Sequence, residues 1–220
     1  MRTVVFDLDG TLADTSADLI AAANSCFRAR GLGDLLDPVT DARTAFRGAR
    51  AMLSLGFSRS GTGGAAEVED DFPRLVDAYS GALDVHSRLY PGARAAVERL
   101  GQAGYATAVC TNKTEGLADR LLESLGVRGL FGALVGADTL TVRKPDPAPL
   151  VAAVVRAGGD PGRALLVGDT ETDRETARAA GVPCALVTFG PDGRGVAALA
   201  PEALLDHFDG LDALVAELVG

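Results

Sequence analysis

Two aspartates, Asp7 and Asp9, lie one residue apart at the end of a short apolar run near the start of the chain. Residues i and i+2 of an extended strand project to the same side, so the two carboxylates can converge on one point. Gly10 and Thr11 follow, and a glycine lets the backbone turn sharply there. Two neighbouring carboxylates repel each other, and a cation that prefers hard oxygen ligands, such as Mg²⁺, relieves the repulsion. The pattern also fits a strand that simply ends in an Asp-Gly turn.

Three later segments carry polar residues directly after a predicted strand or before a predicted helix. Thr111 and Asn112 offer a hydroxyl and backbone N–H groups at a strand-to-helix turn, which suits a phosphate oxygen but also an ordinary helix cap. Two prolines follow Lys144 within three residues and stiffen its segment. Asp169 and Asp173 lie four residues apart and can share one side of an opening helix, where acidic groups also complement the helix dipole.

Lysine is rare in this chain. Only Lys113 and Lys144 occur among 21 basic residues, and the others are arginines. Because arginine serves as the general surface cation, a retained lysine indicates a place where a compact ammonium group is needed. Both lysines lie in the polar segments, and we predict that Lys144 neutralises bound phosphate.

The composition excludes several classes of protein. A net charge of −9 over 220 residues leaves no basic surface for nucleic acid. No apolar stretch reaches membrane-spanning length, and no signal-peptide pattern opens the chain. Three widely spaced cysteines, Cys26, Cys110 and Cys184, indicate reduced thiols, and no clustered Cys or His predicts a zinc site. We therefore predict a cytoplasmic protein without a nucleic-acid or membrane partner.

Short apolar runs predict five strands, with helical spacing between most of them. The strands span residues 4–6, 105–110, 134–135, 164–167 and 184–187. This alternation indicates an α/β fold with a doubly wound parallel sheet and helices on both faces. Ligands of such sheets bind beyond the carboxyl ends of the strands, where Asp7, Thr111 and Asp169 are expected to meet.

The alternation is interrupted between residues 15 and 87, where the spacing is helical and no convincing strand occurs. We predict a helical domain at 15–87, inserted into an α/β core domain formed by residues 1–14 and 88–220. An insert that directly follows Asp7 and Asp9 is positioned to cover them.

In their order and spacing, the four polar segments resemble the four motifs of the haloacid dehalogenase superfamily, from residue 1 to about 190. Within it the chain is similar to the phosphoglycolate phosphatase branch. The segments that carry this similarity are the helical insert, Cys110-Thr111-Asn112-Lys113, Arg143-Lys144-Pro145-Asp146-Pro147 and Gly168-Asp169-Thr170. The resemblance implies a Rossmann-like core with an inserted helical cap.

The resemblance also implies a role for each motif residue. Asp7 would be the nucleophile that forms an aspartyl-phosphate, and Asp9 the general acid and then the base. Mg²⁺ would be held by the Asp7 carboxylate, the Asp9 backbone carbonyl and Asp169, with Asp173 in support. The implied phosphate-binding residues are Thr111, Asn112 and Lys144, and the candidate substrate-facing residues of the cap are Arg47, Gly48 and Arg50.

These implications favour a phosphomonoester hydrolase whose partner is a small phosphorylated metabolite, foremost 2-phosphoglycolate, acting as a monomer or homodimer. A phosphosugar mutase of the β-phosphoglucomutase type, or a phosphatase of other small esters, shares every core motif and stays open. Dehalogenases lack an acid at the Asp9 position, and phosphonatases need a cap lysine, which is absent before Lys113. A phospho-aspartyl signalling module is a remote alternative, because it would be shorter and lack the insert.

Overall fold

The computed structural model describes residues 1–220, which divide into two compact units. The core unit comprises Met1–Ala13 and Leu89–Gly220, and the helical unit comprises Asp14–Arg88. The helical unit therefore extends one residue beyond each end of the expected insert. The chain leaves the core unit once and returns to it once.

Eight strands occur along the chain. They are β1 (Thr3–Phe6), β2 (Ala13–Asp14), β3 (Arg88–Leu89), β4 (Ala106–Cys110), β5 (Ala133–Val135), β6 (Ala164–Gly168), β7 (Cys184–Val187) and β8 (Ala203–Leu205). Six of them form one sheet in the order β5–β4–β1–β6–β7–β8, and every pairing in that sheet is parallel. The predicted doubly wound α/β fold is thereby confirmed. Strands β2, β3 and β8 were not predicted.

Nine α-helices accompany these strands. They are α1 (Ser16–Ala29), α2 (Ala42–Ala45), α3 (Ala49–Ser60), α4 (Ala65–Gly81), α5 (Ala93–Gln102), α6 (Glu115–Ser124), α7 (Ala148–Arg156), α8 (Glu171–Ala180) and α9 (Leu211–Val219). Helices α5 to α9 belong to the core unit and flank its sheet. None of the nine helices has both the length and the apolar character that a membrane crossing requires.

The central strand β1 is buried on both faces, because Val4, Val5 and Phe6 have no exposed surface. Val5 lies in a cluster with residues of α7 and α8, such as Leu150 and Ala177. Since successive side chains of a strand alternate between faces, Val4 and Phe6 point to the opposite side. Burial on both faces explains why the strands of this parallel sheet read as continuous apolar runs in the sequence.

The sheet order reverses at β1, because β4 lies on one side of it and β6 on the other. Beyond the carboxyl ends of the strands, such a reversal leaves a crevice in which doubly wound proteins bind their ligands. The segments that follow β1, β4 and β6 therefore meet at one edge of the sheet.

Helices α1 to α4 form the helical unit. Its apolar centre includes Phe27 and Phe57, whose rings meet edge to face with centroids 5.4 Å apart. The fully buried Asp71 is compensated by two arginines, with Arg30 Nε at 2.7 Å and Arg74 Nη1 at 3.0 Å from its oxygens. The Arg30 contact joins the end of α1 to α4, whereas Arg74 pairs with Asp71 within α4. The two arginines together compensate a charge in the interior of the unit.

Candidate active site

A tight turn after β1 presents Asp7 and Asp9. The Asp7 N–H donates to Val167 O of β6 at 2.9 Å, so the residue is still held by the sheet. The Asp7 Oδ1 accepts the Leu8 N–H at 2.7 Å, which orients the carboxylate. The Leu8 carbonyl then accepts the backbone N–H groups of residues 11, 12 and 13, and this closes the turn.

Gly10 is required by this turn for two reasons. Its φ of 81° lies in the left-handed region, which a side chain makes unfavourable. A Cβ added at Gly10 would also lie 2.2 Å from Asp169 Oδ2. The backbone after β1 therefore approaches the carboxylate after β6 at a distance that only glycine permits.

Lys144 links two carboxylates from different segments. Its Nζ lies 2.6 Å from Asp173 Oδ1 and 3.1 Å from Asp7 Oδ1, and its side chain is almost fully buried. Burial by itself lowers the pKa of Lys144, but Asp173 and Asp7 outweigh this effect and raise the pKa above its ordinary value. Lys144 is therefore charged in the folded protein, as its predicted role requires.

Asp169 lies between β6 and α8, and Asp173 lies in the first turn of α8. Of the two, only Asp169 has a carboxylate oxygen that accepts no hydrogen bond. Asp173 Oδ2 accepts the Asp169 N–H, the Thr170 N–H and the Thr170 hydroxyl at 3.2, 3.1 and 2.7 Å, while Oδ1 accepts from Lys144. Asp169 Oδ1 accepts the Thr11 hydroxyl at 3.0 Å, and Asp169 Oδ2 has no hydrogen-bond donor. Asp173 thus supports the site, and Asp169 can still bind a ligand.

The donor set at this edge fits a hard divalent cation. Oxygens of Asp7, Asp169 and Asp173 lie within 4.8 Å of one another, all three residues are buried, and no soft ligand is present among them. Asp7 Oδ2 resembles Asp169 Oδ2 in having no hydrogen-bond donor. Two unpartnered carboxylate oxygens on neighbouring segments are the arrangement from which Mg²⁺ could be held.

Burial, and after it the neighbouring negative charges, perturbs the pKa values of these carboxylates. Burial, together with Asp173 and Asp9, raises the pKa of Asp7 to about 6 despite the opposing effect of Lys144. Burial, followed by Asp173 and Asp7, likewise raises the pKa of Asp169 well above its ordinary range. A cation bound between the two would remove this penalty.

Thr111 and Asn112 follow β4 and lie at the same edge of the sheet. Thr111 is buried, its N–H donates to Val135 O, and its hydroxyl oxygen accepts the Lys113 N–H at 3.2 Å. The Thr111 O–H has no acceptor and is available to a ligand oxygen. The Asn112 side-chain amide instead donates to Lys144 O at 3.0 Å, which fixes the segment that carries this lysine.

Two residues of this site were not among the predicted site residues. Lys113 Nζ lies 2.9 Å from both carboxylate oxygens of Asp9, and the Thr11 hydroxyl holds Asp169. The scarcity of lysine pointed to Lys113, since both lysines of the chain prove to contact the aspartates after β1. No sequence signal separated Thr11 from an ordinary turn residue.

The family model described as haloacid dehalogenase-like hydrolase matches residues 4–187, which include every segment of this site. The chain belongs to this family. The family predicted from the four motifs is confirmed, and as a member of this family the chain is a hydrolase.

Curated relatives of this hydrolase include phosphoglycolate phosphatases. The protein of that name from Mesorhizobium japonicum is 40% identical over 215 residues, which cover 97% of this chain and 94% of the relative. The one from Agrobacterium fabrum is also 40% identical and covers 94% of this chain and 89% of its own length. The crystal structure of a predicted phosphoglycolate phosphatase from Haemophilus somnus is 26% identical, with a TM-score of 0.85 and 97% coverage of both chains.

The cysteines of the hydrolase are free thiols, and all three are buried. Cys110 directly precedes Thr111, but burial raises its pKa to about 12, so the thiol stays protonated and unreactive at neutral pH. The cysteines therefore contribute packing to the hydrolase and no nucleophile.

The candidate residues of the helical unit differ from one another in their contacts. Arg50 donates to both Glu69 oxygens at 2.7 and 2.9 Å, and its guanidinium lies over the Phe72 ring, 3.8 Å from the centroid. Arg47 is exposed and its side chain has no partner, and Gly48, with a φ of 95°, starts α3. Arg50 is thus engaged within the helical unit, whereas Arg47 can accept a new ligand.

Proposed function

We propose that this hydrolase is a magnesium-dependent phosphomonoester hydrolase whose favoured substrate is 2-phosphoglycolate. The observation that carries the proposal is the contact between the Lys144 ammonium and the Asp7 carboxylate, beside the partly unpartnered Asp169. A nucleophile, a cation and a metal-binding oxygen at one sheet edge are what phosphoryl transfer needs. The names of the curated relatives support 2-phosphoglycolate as the substrate.

In the first half of the reaction, an Asp7 oxygen attacks phosphorus and forms an aspartyl-phosphate. The bond between phosphorus and the ester oxygen breaks, and Asp9 donates a proton to that leaving oxygen. Lys144 and the Thr111 hydroxyl bind the phosphoryl oxygens and stabilise the charge that develops on them. Asn112 contributes by holding the Lys144 backbone.

In the second half, Asp9 takes a proton from water as the water oxygen attacks phosphorus. The bond between phosphorus and the Asp7 oxygen breaks, and inorganic phosphate and free Asp7 result. Splitting the hydrolysis in two lets one carboxylate serve first as acid and then as base.

Asp7, Asp169 and the Asp9 backbone carbonyl would hold Mg²⁺, with Asp173 in support. When bound, Mg²⁺ supplies charge neutralisation at the transferred phosphoryl group. Burial and neighbouring negative charges raise the pKa values of Asp7 and Asp169, and a bound cation would offset both effects, which favours this assignment.

The helical unit, residues 14–88, acts in this proposal as a cap that selects the leaving group. Arg47 is its candidate contact for the substrate carboxylate, because a guanidinium can bind a carboxylate through two hydrogen bonds. Gly48 lets the chain turn into α3 beside Arg47, and Arg50 contributes mainly through Glu69. The cytoplasmic location and the choice between monomer and homodimer stay predictions.

A panel of phosphate esters tests the proposal. Phosphate release is measured from 2-phosphoglycolate, hexose phosphates and p-nitrophenyl phosphate, with Mg²⁺ and with excess chelator, and Asp7→Asn serves as the inactive control. We expect turnover only with Mg²⁺ and a preference for 2-phosphoglycolate. No release from any ester would overturn the phosphatase assignment. Equal turnover of hexose phosphates would overturn the substrate while leaving the phosphatase assignment in place.

The contribution of Arg47 has its own comparison. Arg47→Ala should reduce the preference for 2-phosphoglycolate over p-nitrophenyl phosphate, because only the former carries a carboxylate. Arg50→Ala is the matched variant, and we expect it to act mainly on the stability of the helical unit through Glu69 and Phe72. An unchanged preference in Arg47→Ala would contradict the assigned carboxylate contact.

A further inference from the structure

The other lysine of the chain, Lys113, contacts the carboxylate of Asp9, which makes both proton transfers in the proposed mechanism. Lys113 Nζ donates to Asp9 Oδ1 and Oδ2, each at 2.9 Å. The Lys113 side chain is 6% exposed and the Asp9 side chain 18%. A charge-assisted contact to both oxygens, largely removed from solvent, restrains the rotation of the carboxylate as well as its position.

The backbone of Lys113 is held by two hydrogen bonds. Its N–H donates to Thr111 Oγ1 at 3.2 Å, and its carbonyl accepts the Ala137 N–H at 2.9 Å. Both contacts lie just beyond the carboxyl ends of the paired strands β4 and β5. The backbone that carries the ammonium is therefore anchored at the sheet edge, whereas Asp9 lies in the turn after β1.

We infer that Lys113 is a positioning residue, which holds the Asp9 carboxylate where it exchanges protons with the leaving oxygen and with water. The inference rests on the proposed phosphatase function. It assigns different tasks to the two lysines, because Lys144 contacts Asp7 and Asp173 whereas Lys113 contacts Asp9. A displacement of about 1 Å in a catalytic group can cost about 10²-fold in rate, so the loss of this contact should be measurable.

The test compares Lys113→Met on two esters that differ in their need for a proton. The alkoxide of an alkyl ester such as 2-phosphoglycolate needs protonation as it leaves, whereas p-nitrophenolate leaves readily without it. The ratio kcat/KM reports the steps up to transfer of the phosphoryl group to Asp7. We expect kcat/KM to fall about 10²-fold for 2-phosphoglycolate and to stay unchanged for p-nitrophenyl phosphate. The kcat values of both esters should fall, because they share the hydrolysis of the aspartyl-phosphate.

Two further variants separate positioning from a structural role. In an Asp9→Asn background, Lys113→Met should cause no additional loss, since the two residues act as a unit. Lys113→Arg keeps the charge with a different shape and should restore part of the lost kcat/KM for 2-phosphoglycolate. Lys113→Gln replaces Lys113→Met in both comparisons if Lys113→Met unfolds on heating at a much lower temperature than the wild type.

Arg128→Met is the matched control. Arg128 pairs with Asp119 at 2.6 Å in the same unit, in the segment that precedes β5. Its replacement should leave kcat/KM unchanged for both esters. Equal losses of kcat/KM on both esters in Lys113→Met, or a full additional loss in the Asp9→Asn background, would overturn the positioning role. A wild-type protein that releases no phosphate at all would instead overturn the proposed function.

Discussion

The raised pKa of Asp7 predicts that the proposed nucleophile destabilises the metal-free protein. Its pKa is about 6 in the folded protein, against an ordinary value of 3.8. The stability contributed by the neutral carboxyl group is fully present below about pH 4 and is lost as the pH rises through about 6. Above that range the ionised Asp7 opposes folding, because burial and the charges of Asp173 and Asp9 outweigh the attraction of Lys144.

The replacement Asp7→Asn should therefore stabilise the protein at neutral and alkaline pH. Asparagine resembles the neutral carboxyl group in size and can still accept the Leu8 N–H. Each pH unit between the two pKa values corresponds to 1.36 kcal/mol, so the gain approaches about 3 kcal/mol at pH 8. For a chain of this length we expect the melting temperature to rise by about 6–12 °C.

The assay is thermal and denaturant unfolding of wild type and Asp7→Asn between pH 4 and 8 in excess chelator. The difference in free energy of unfolding between the two proteins should be largest at pH 8 and should vanish near pH 4. Asp146→Asn is the matched control, because it removes the same charge from an exposed position of the core unit. An Asp7→Asn protein that is less stable than wild type at pH 8, or a gap independent of pH, would refute the reasoning.

Mg²⁺ should reduce the difference in stability between wild type and Asp7→Asn. A ligand at 100 times its Kd stabilises the protein that binds it by about 2.7 kcal/mol, which is close to the penalty from Asp7. Asp7→Asn lacks one of the proposed metal-binding carboxylates and should gain less. If Mg²⁺ raised the melting temperatures of both proteins equally, Asp7 would not be a metal ligand.

Three further predictions follow from other contacts. Gly10→Ala should lower both the melting temperature and phosphate release, because its φ of 81° is strained for alanine and the new Cβ lies 2.2 Å from a carboxylate oxygen. Lys144→Met should cost about 3–5 kcal/mol in denaturant unfolding by leaving buried carboxylates unpaired, and less when combined with Asp173→Asn. Arg59→Met should be less stable than wild type at pH 7, since Arg59 lowers the pKa of Asp41. That deficit should shrink as the pH falls below 3.8 through the lowered pKa, where Asp41 becomes neutral in both proteins.

The ends of the central strands could be predicted because each end is marked by a change from apolar to polar residues in the sequence. Strands buried on both faces need continuous apolar runs, and a polar residue directly after such a run marks the carboxyl edge. This pattern alone predicts that Asp7, Thr111 and Asp169 lie at one edge of the sheet. The structure confirms the fold, and it brings their segments together on neighbouring strands.

The missed strands lack this signal. Each of β2 and β3 has only two residues, too few for any periodicity, and they pair with each other in a separate two-stranded sheet. Strand β8 has three residues at the edge of the large sheet, and only Leu205 of these is fully buried. Edge strands are covered on fewer sides, so their sequences are less constrained to be apolar.

At the site itself, the contacts that could not be predicted from the sequence are those between distant segments. Lys113 and Asp9 are 104 residues apart, and nothing in either segment specifies that their side chains meet. The scarcity of lysine draws attention to Lys113 and Lys144, but it does not predict which aspartate each of them contacts. The pairing depends on the lateral order of β1 and β4, which is known only once the sheet is assembled.

Asp173 shows why the structural and functional interpretations of a motif residue need not compete. The sequence left open whether it complements the start of α8 or supports the site. In the structure one oxygen accepts three hydrogen bonds from Asp169 and Thr170 at the start of that helix, and the other accepts from Lys144. The same carboxylate thus holds the start of the helix and Lys144. Because the two tasks share one residue, we expect a variant that removes the side-chain oxygens of Asp173, such as Asp173→Ala, to affect both the start of α8 and the position of Lys144.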